Sequence, residues 1–123
     1  MILAAGYLAI FLGLIHSFLG EILIFQKLRD NELIPSHGGD LLKARQVRIL
    51  WASWHLVSIF GFGMASILIW LSLSTSNSSI TEVLINIVSI TMLCGAVLVL
   101  IGTKGKHPGW IVLTIIGILP WFA

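Results

Sequence analysis

The sequence predicts an all-α membrane protein, a bundle of four transmembrane helices forming a single domain over residues 1–123. Three observations predict it. Hydrophobic residues make up 58% of the chain and charged residues 10%, and the mean hydropathy is +1.05, a balance that leaves too little polar surface to cover a soluble core. Four apolar spans of about 20 residues or slightly fewer alternate with three polar intervals, and that length of helix crosses a hydrocarbon layer. All seven Lys and Arg fall in the first and third intervals. Lipid offers no hydrogen-bond partners, so each spanning backbone must satisfy its own groups, which selects helix throughout.

The first span runs from about Ile2 to Gln26. Met1 leads directly into it without a basic n-region or a small-residue cleavage site, the pattern of a retained helix and not of a signal peptide. The interval KLRDNELIPSHGGDLLKARQVR contains Pro35 and the Gly38–Gly39 pair, which interrupt helix. Asp40 is a candidate cap for an amphipathic lead-in to the second span. That span covers about Ile49 to Leu73 and ends in the turn SLSTSNSS.

Ser79 and Glu82 form an S-x-x-E capping box that opens the third span, about Ile80 to Ile101. The lone cysteine, Cys94, falls inside that apolar run and reads as a small buried hydrophobe with no disulfide or redox role. The fourth span opens at HPGW, where Pro108 suits a first helical position, and runs to Phe122 as the shortest of the four.

Lys27, Arg29, Lys43, Arg45 and Arg48 occupy the first interval, Lys104 and Lys106 the third. Four spans place those two intervals on one side. The positive-inside rule makes that side cytoplasmic and puts both chain ends and the Ser-rich turn outside, as expected for a bacterial inner membrane protein. The expected partner is therefore the lipid bilayer, and the charges serve topology; nucleic-acid binding is excluded. A homo-oligomer or a larger membrane complex is the other expectation, since bulky side chains cover the outward face of the first span.

The histidine and the carboxylate of the first span are confined to IHSFLGE, residues 15–21. At 100° per residue, His16, Ala9, Gly20, Gly13, Gly6, Ser17 and Glu21 fall within an arc of about 140°. Small residues let membrane helices approach, so this stripe should face protein. On the second span Arg48, Trp51, Ala52, Ser58, Phe62, Ala65 and Ser66 lie within about 140° around His55, and Trp54 faces elsewhere. Measured from Lys27 and Arg48, Glu21 sits about 9 Å deep, His55 about 10 Å and His16 about 16 Å. Spans joined by one loop are neighbours as a rule, so His16, Glu21 and His55 form a candidate ligand site, with Arg48 and His107 as outer members.

His107 has a second reading as a cap on the fourth helix. His37 lies in the first interval as a solvated side chain. Trp51, Trp70, Trp110 and Trp121 stand near span ends as interfacial anchors. Asn86, Ser89 and Thr91 supply interhelical hydrogen bonds.

Several chemistries fit these residue types. Imidazole coordinates transition metals and a carboxylate completes or orients the shell, which makes His16, Glu21 and His55 candidate metal ligands. The two histidines on facing helices also suit the axial positions of a b-type haem, with Arg48 meeting a propionate. A metal, haem or small polar ligand is thus the leading expectation. A membrane carboxylate beside histidines equally fits proton-coupled transport of a small molecule or cation. An accessory subunit of a larger complex is the third class. Glu21 paired with Arg48 as structural glue is the plainest alternative. Nucleophilic catalysis lacks a signature, because neither Ser17 nor Ser58 sits in a recognisable nucleophile turn.

The stretches IHSFLGE, ILWASWHLVSIFGFG and KHPGW, carrying the patterns HSxxGE, WHxxS and HPxW, resemble recurring features of small, uncharacterised bacterial four-helix integral membrane proteins. The resemblance spans most of the chain and implies the same four-helix fold. It implies no activity and no functional residues.

Overall fold

A computed structural model of the protein describes residues 1–74, 78–102 and 104–122. These residues are helical apart from the connections: α1 covers Ile2–Leu23, α2 Ala44–Leu73, α3 Ser78–Gly102 and α4 Gly109–Ile118. Short 3₁₀ turns follow α1 at Phe25–Leu28 and α4 at Leu119–Phe122. There is no strand among the described residues, only an isolated bridge between Gly38 and Leu42.

Three helices, Ile2–Leu23, Ala44–Leu73 and Ser79–Ile101, are long and apolar enough to cross a membrane. The fourth apolar segment, Gly109–Phe122, is shorter. Ten α residues and four 3₁₀ residues extend roughly 23 Å, less than a hydrocarbon core of about 30 Å.

The chain divides into two compact units, one of Met1–Leu12 with Gly61–Ala123 and one of Gly13–Phe60. In the first, Ala5 and Ala9 of α1, Ala65 and Leu68 of α2, Val88 and Met92 of α3 and Ile116 of α4 make one buried cluster. The alanines keep the backbones close. A Cβ on Gly6 would meet the Ile69 side chain at 2.7 Å and the Ala65 carbonyl at 3.3 Å, and one on Gly117 would meet Leu93 and the Ser89 carbonyl at 3.0 Å. Small residues at such crossings are what lets helices associate where no hydrophobic force drives them together.

Several local expectations change. α2 starts at Ala44, with the Lys43 N–H donating to Gln46 Oε1 at 2.8 Å, so Gln46 and not Asp40 supplies the side-chain contact at this end. Ser79 is the second residue of α3, which starts at Ser78. Cys94 is exposed on α3 and not buried. At the far end of α3, Lys104 and Gly105 take positive φ of 51° and 74°, and the Gly105 N–H returns to the Leu100 carbonyl at 2.8 Å, satisfying an orphan carbonyl as left-handed helix ends do.

Within the second unit the ends of α1 and α2 run antiparallel, as the contacts of Ser17 with Ser58 and of Glu21 with Trp51 require. The connection between them is tied back on itself. The Ser36 and His37 N–H groups both donate to the Leu28 carbonyl, at 3.1 and 2.9 Å, Pro35 and Val47 are fully buried, and Gly39 takes a φ of 63°. His37 is exposed, as expected.

Candidate functional site

The site grows from two helical spacings. Ser17 and Glu21 are four residues apart on α1, and Trp51, His55 and Ser58 sit at i, i+4 and i+7 on α2, so each set lines one helix face. Antiparallel pairing then opposes Glu21 to Trp51 and His55, and Ser17 to His55 and Ser58.

Glu21 is the centre of charge. Its Oε1 is ion-paired with Arg29 Nη2. Its Oε2 accepts a hydrogen bond from the Trp51 indole N–H at 3.1 Å and lies 3.4 Å from His55 Nε2. The side chains are 31% exposed at Glu21 and 25% at both Arg29 and His55, so the cluster is sheltered but open on one side. An ionised carboxylate sheltered to this degree would be destabilising without such partners.

The other imidazole nitrogen faces a hydroxyl. His55 Nδ1 lies 2.9 Å from Ser17 Oγ, and Ser17 donates in turn to Ser58 Oγ at 2.8 Å. Ser58 is 3% exposed. With the Ser17 proton directed to Ser58, Nδ1 is the donor toward Ser17, and Nε2 faces the Glu21 oxygen without a hydrogen bond. At 3.4 Å the contact is an ion-pair distance, longer than a formed hydrogen bond.

Aromatic rings wall the cluster. Trp51 and Phe25 approach the His55 ring with centroids 5.1 and 6.1 Å away, and Phe25 meets Trp54 edge-on at 5.9 Å. The 3₁₀ turn brings Phe25 in, where it is 3% exposed.

The His16 ring belongs to this wall. Its ring stacks on Trp54 at 4.3 Å with an interplanar angle of 6°, and the Trp54 indole N–H donates to the His16 carbonyl at 2.9 Å. Trp54 was expected to face away. Its indole instead lies directly against the backbone of Gly20, where any Cβ would collide with it; the missing side chain opens the space that a helical angle alone does not reveal.

Arg48 is likewise corrected. It pairs with Glu32 at 3.3 Å, both side chains being more than half exposed, because Arg29 already occupies the Glu21 oxygen that Arg48 was expected to reach. His107 belongs to the first unit, where its Nδ1 accepts the Gly109 N–H at 3.1 Å at the start of α4. This is the capping role.

Of the five expected site residues, the structure thus brings together Glu21 and His55. Among the described residues no group of three or more His, Cys, Asp or Glu side chains is placed to hold a metal ion, so His16, Glu21 and His55 do not form the expected ligand set. His55 Nδ1 is within hydrogen-bond distance of Ser17, and its Nε2 lies 3.4 Å from the Glu21 carboxylate with no hydrogen bond of its own.

Arg29, Ser17, Ser58 and Trp51 enter the site instead. The two serines were on the right faces by helical angle, and Trp51 was too, although its place near a span end suggested an interfacial anchor. Comparison with known protein families, with characterised proteins and with solved structures finds no family model, no protein and no structure that matches this chain.

Proposed function

We propose that this is a small integral membrane protein that relays protons along Glu21, His55, Ser17 and Ser58 and couples them to exchange of a small cation or polar solute. In this reading the first and third loops, which carry all Lys and Arg, face the cytoplasm, and α4 with its 3₁₀ extension completes a fourth crossing. The observation that carries the reading is the division of one imidazole between two partners, Nε2 toward the Glu21 carboxylate and Nδ1 toward the Ser17 hydroxyl.

The transfer is a sequence of short hops. The Glu21 carboxyl gives its proton to His55 Nε2. The Nδ1 proton passes to Ser17 Oγ as Ser17 passes its own to Ser58, and Ser58 gives up its hydroxyl proton to a water molecule that enters beside it when the helices part. Hydroxyl rotation and imidazole reorientation restore the starting pattern. Histidine suits this role because it accepts at one nitrogen while donating at the other. Glu21 supplies the coupling, since its carboxylate holds either a proton or a cation, and Arg29 and Trp51 keep it in place while it does so.

The test is reconstitution into liposomes containing a trapped pH indicator. An imposed pH gradient should collapse faster with the native protein than with Glu21→Gln or His55→Ala, each folding normally by helix content. Equal rates for native protein and variants would overturn the proposal and favour a purely structural role for the cluster. Metal analysis and an absorption spectrum of the same preparation separate this reading from a metal or haem protein.

A further inference from the structure

A second polar constellation lies in the first unit, where Glu82, Ile85, Asn86, Pro120 and Trp121 line an open cavity of about 270 Å³. Glu82 and Asn86 stand one turn apart on α3, and Trp121 reaches them from the 3₁₀ turn after α4. The indole is fixed by a hydrogen bond from its N–H to Asn86 Oδ1 at 2.9 Å.

Three features give this cavity a chemical preference. Glu82 has no ion pair among the described residues, and the sequence contains no Lys or Arg between Arg48 and Lys104 or after Lys106. The Asn86 oxygen has a second lone pair beyond the one used by Trp121. The indole adds a π face, which attracts a cation that settles against it.

We infer that this cavity binds a primary alkylammonium group. Its three N–H donors are matched by the Glu82 carboxylate and the Asn86 oxygen, its charge by Glu82, and its alkyl carbons by Ile85 and Pro120. The volume admits a small amine, and the open side leaves room for a longer chain to extend outward. A free amine and the ethanolamine headgroup of a lipid carry the same ammonium chemistry.

The indole N–H resonance of Trp121 in ¹⁵N-labelled protein reads the site, with Trp70, which does not line the cavity, as the internal control. In nanodiscs of phosphatidylglycerol alone, titration with ethylammonium chloride should shift the Trp121 signal saturably, with sodium chloride at matched ionic strength giving no such shift; this identifies a free amine as ligand. A shift produced only by adding phosphatidylethanolamine to the disc identifies the headgroup. In either case Glu82→Gln should remove the response while leaving the Trp121 resonance in a folded position. No response in either arm, or an equal response in Glu82→Gln, overturns the inference. Asn86→Asp, which retains the acceptor, should still respond, and its failure to do so alongside a responsive native protein would contradict the geometry assigned to Asn86.

Discussion

At the scale of residues, the account rests on which side chain holds which oxygen of Glu21. Arg29 is sheltered and ion-paired with Glu21, whereas Arg48 and Glu32 meet in the open. Arg29→Ala should therefore lower stability in detergent by about 2–3 kcal/mol, the range for losing a charge-assisted partner of a sheltered group. Arg48→Ala should change it by no more than about 0.5 kcal/mol, as exposed pairs do. Thermal unfolding of the two variants side by side checks the difference. Ser17→Ala removes the hydroxyl between His55 and Ser58 and should slow proton flux by about a hundredfold, the lower end of the range for deleting a proton-transferring group.

Much of this cluster was legible in the sequence. Glu21, His55, Ser17 and Ser58 share faces because their spacings of three and four follow the helical repeat. Arg29 was not legible as a partner, because the 3₁₀ turn at Phe25–Leu28 changes the rotation per residue and ends any angular extrapolation from α1. His16 occupies the expected face, yet the Trp54 indole covers its ring, a contact set by side-chain size and by the bare backbone of Gly20.

At the scale of elements, glycine placement decides how closely helices pass. Gly20→Ala would drive a methyl group into Trp54, and overpacking of this kind costs about 1–3 kcal/mol. On the α3 and α4 contact, Gly117→Ala meets Leu93 and the Ser89 carbonyl at 3.0 Å, whereas Gly95→Ala finds only Leu113 at 3.8 Å. Gly117→Ala should thus be destabilising. Gly95→Ala should be neutral or stabilising by about 0.5–1 kcal/mol, the helix-propensity gain over glycine. Denaturation of both in the same detergent measures the contrast. The spacing of apolar and small residues located these helices in the sequence; it did not set the end of α4, where the apolar run continues through Leu119–Phe122 but the backbone tightens into 3₁₀ geometry.

At the scale of the whole molecule, charge distribution is the strongest statement the sequence makes. All seven Lys and Arg lie in the first and third connections, and the proposed orientation follows from them. In a Cys94→Ser background, a cysteine introduced by Arg45→Cys should react with an impermeant maleimide only in inverted vesicles. One introduced by Ser74→Cys should react only in intact cells, and the opposite pattern would reverse the orientation. The three long apolar helices were evident from hydropathy alone. The chemistry was not, because hydropathy and charge locate a carboxylate in an apolar span without saying which donors reach it.

The proposed relay requires Glu21 and His55 to exchange a proton, and that exchange is directly measurable. Protein labelled with ¹³C at glutamate carboxyls and ¹⁵N in histidine rings, titrated in nanodiscs, should show the Glu21 carboxyl and the His55 ring nitrogens responding together, with the His55 response altered in Glu21→Gln. Independent titration of the two groups, with His55 indifferent to Glu21→Gln, would contradict the account.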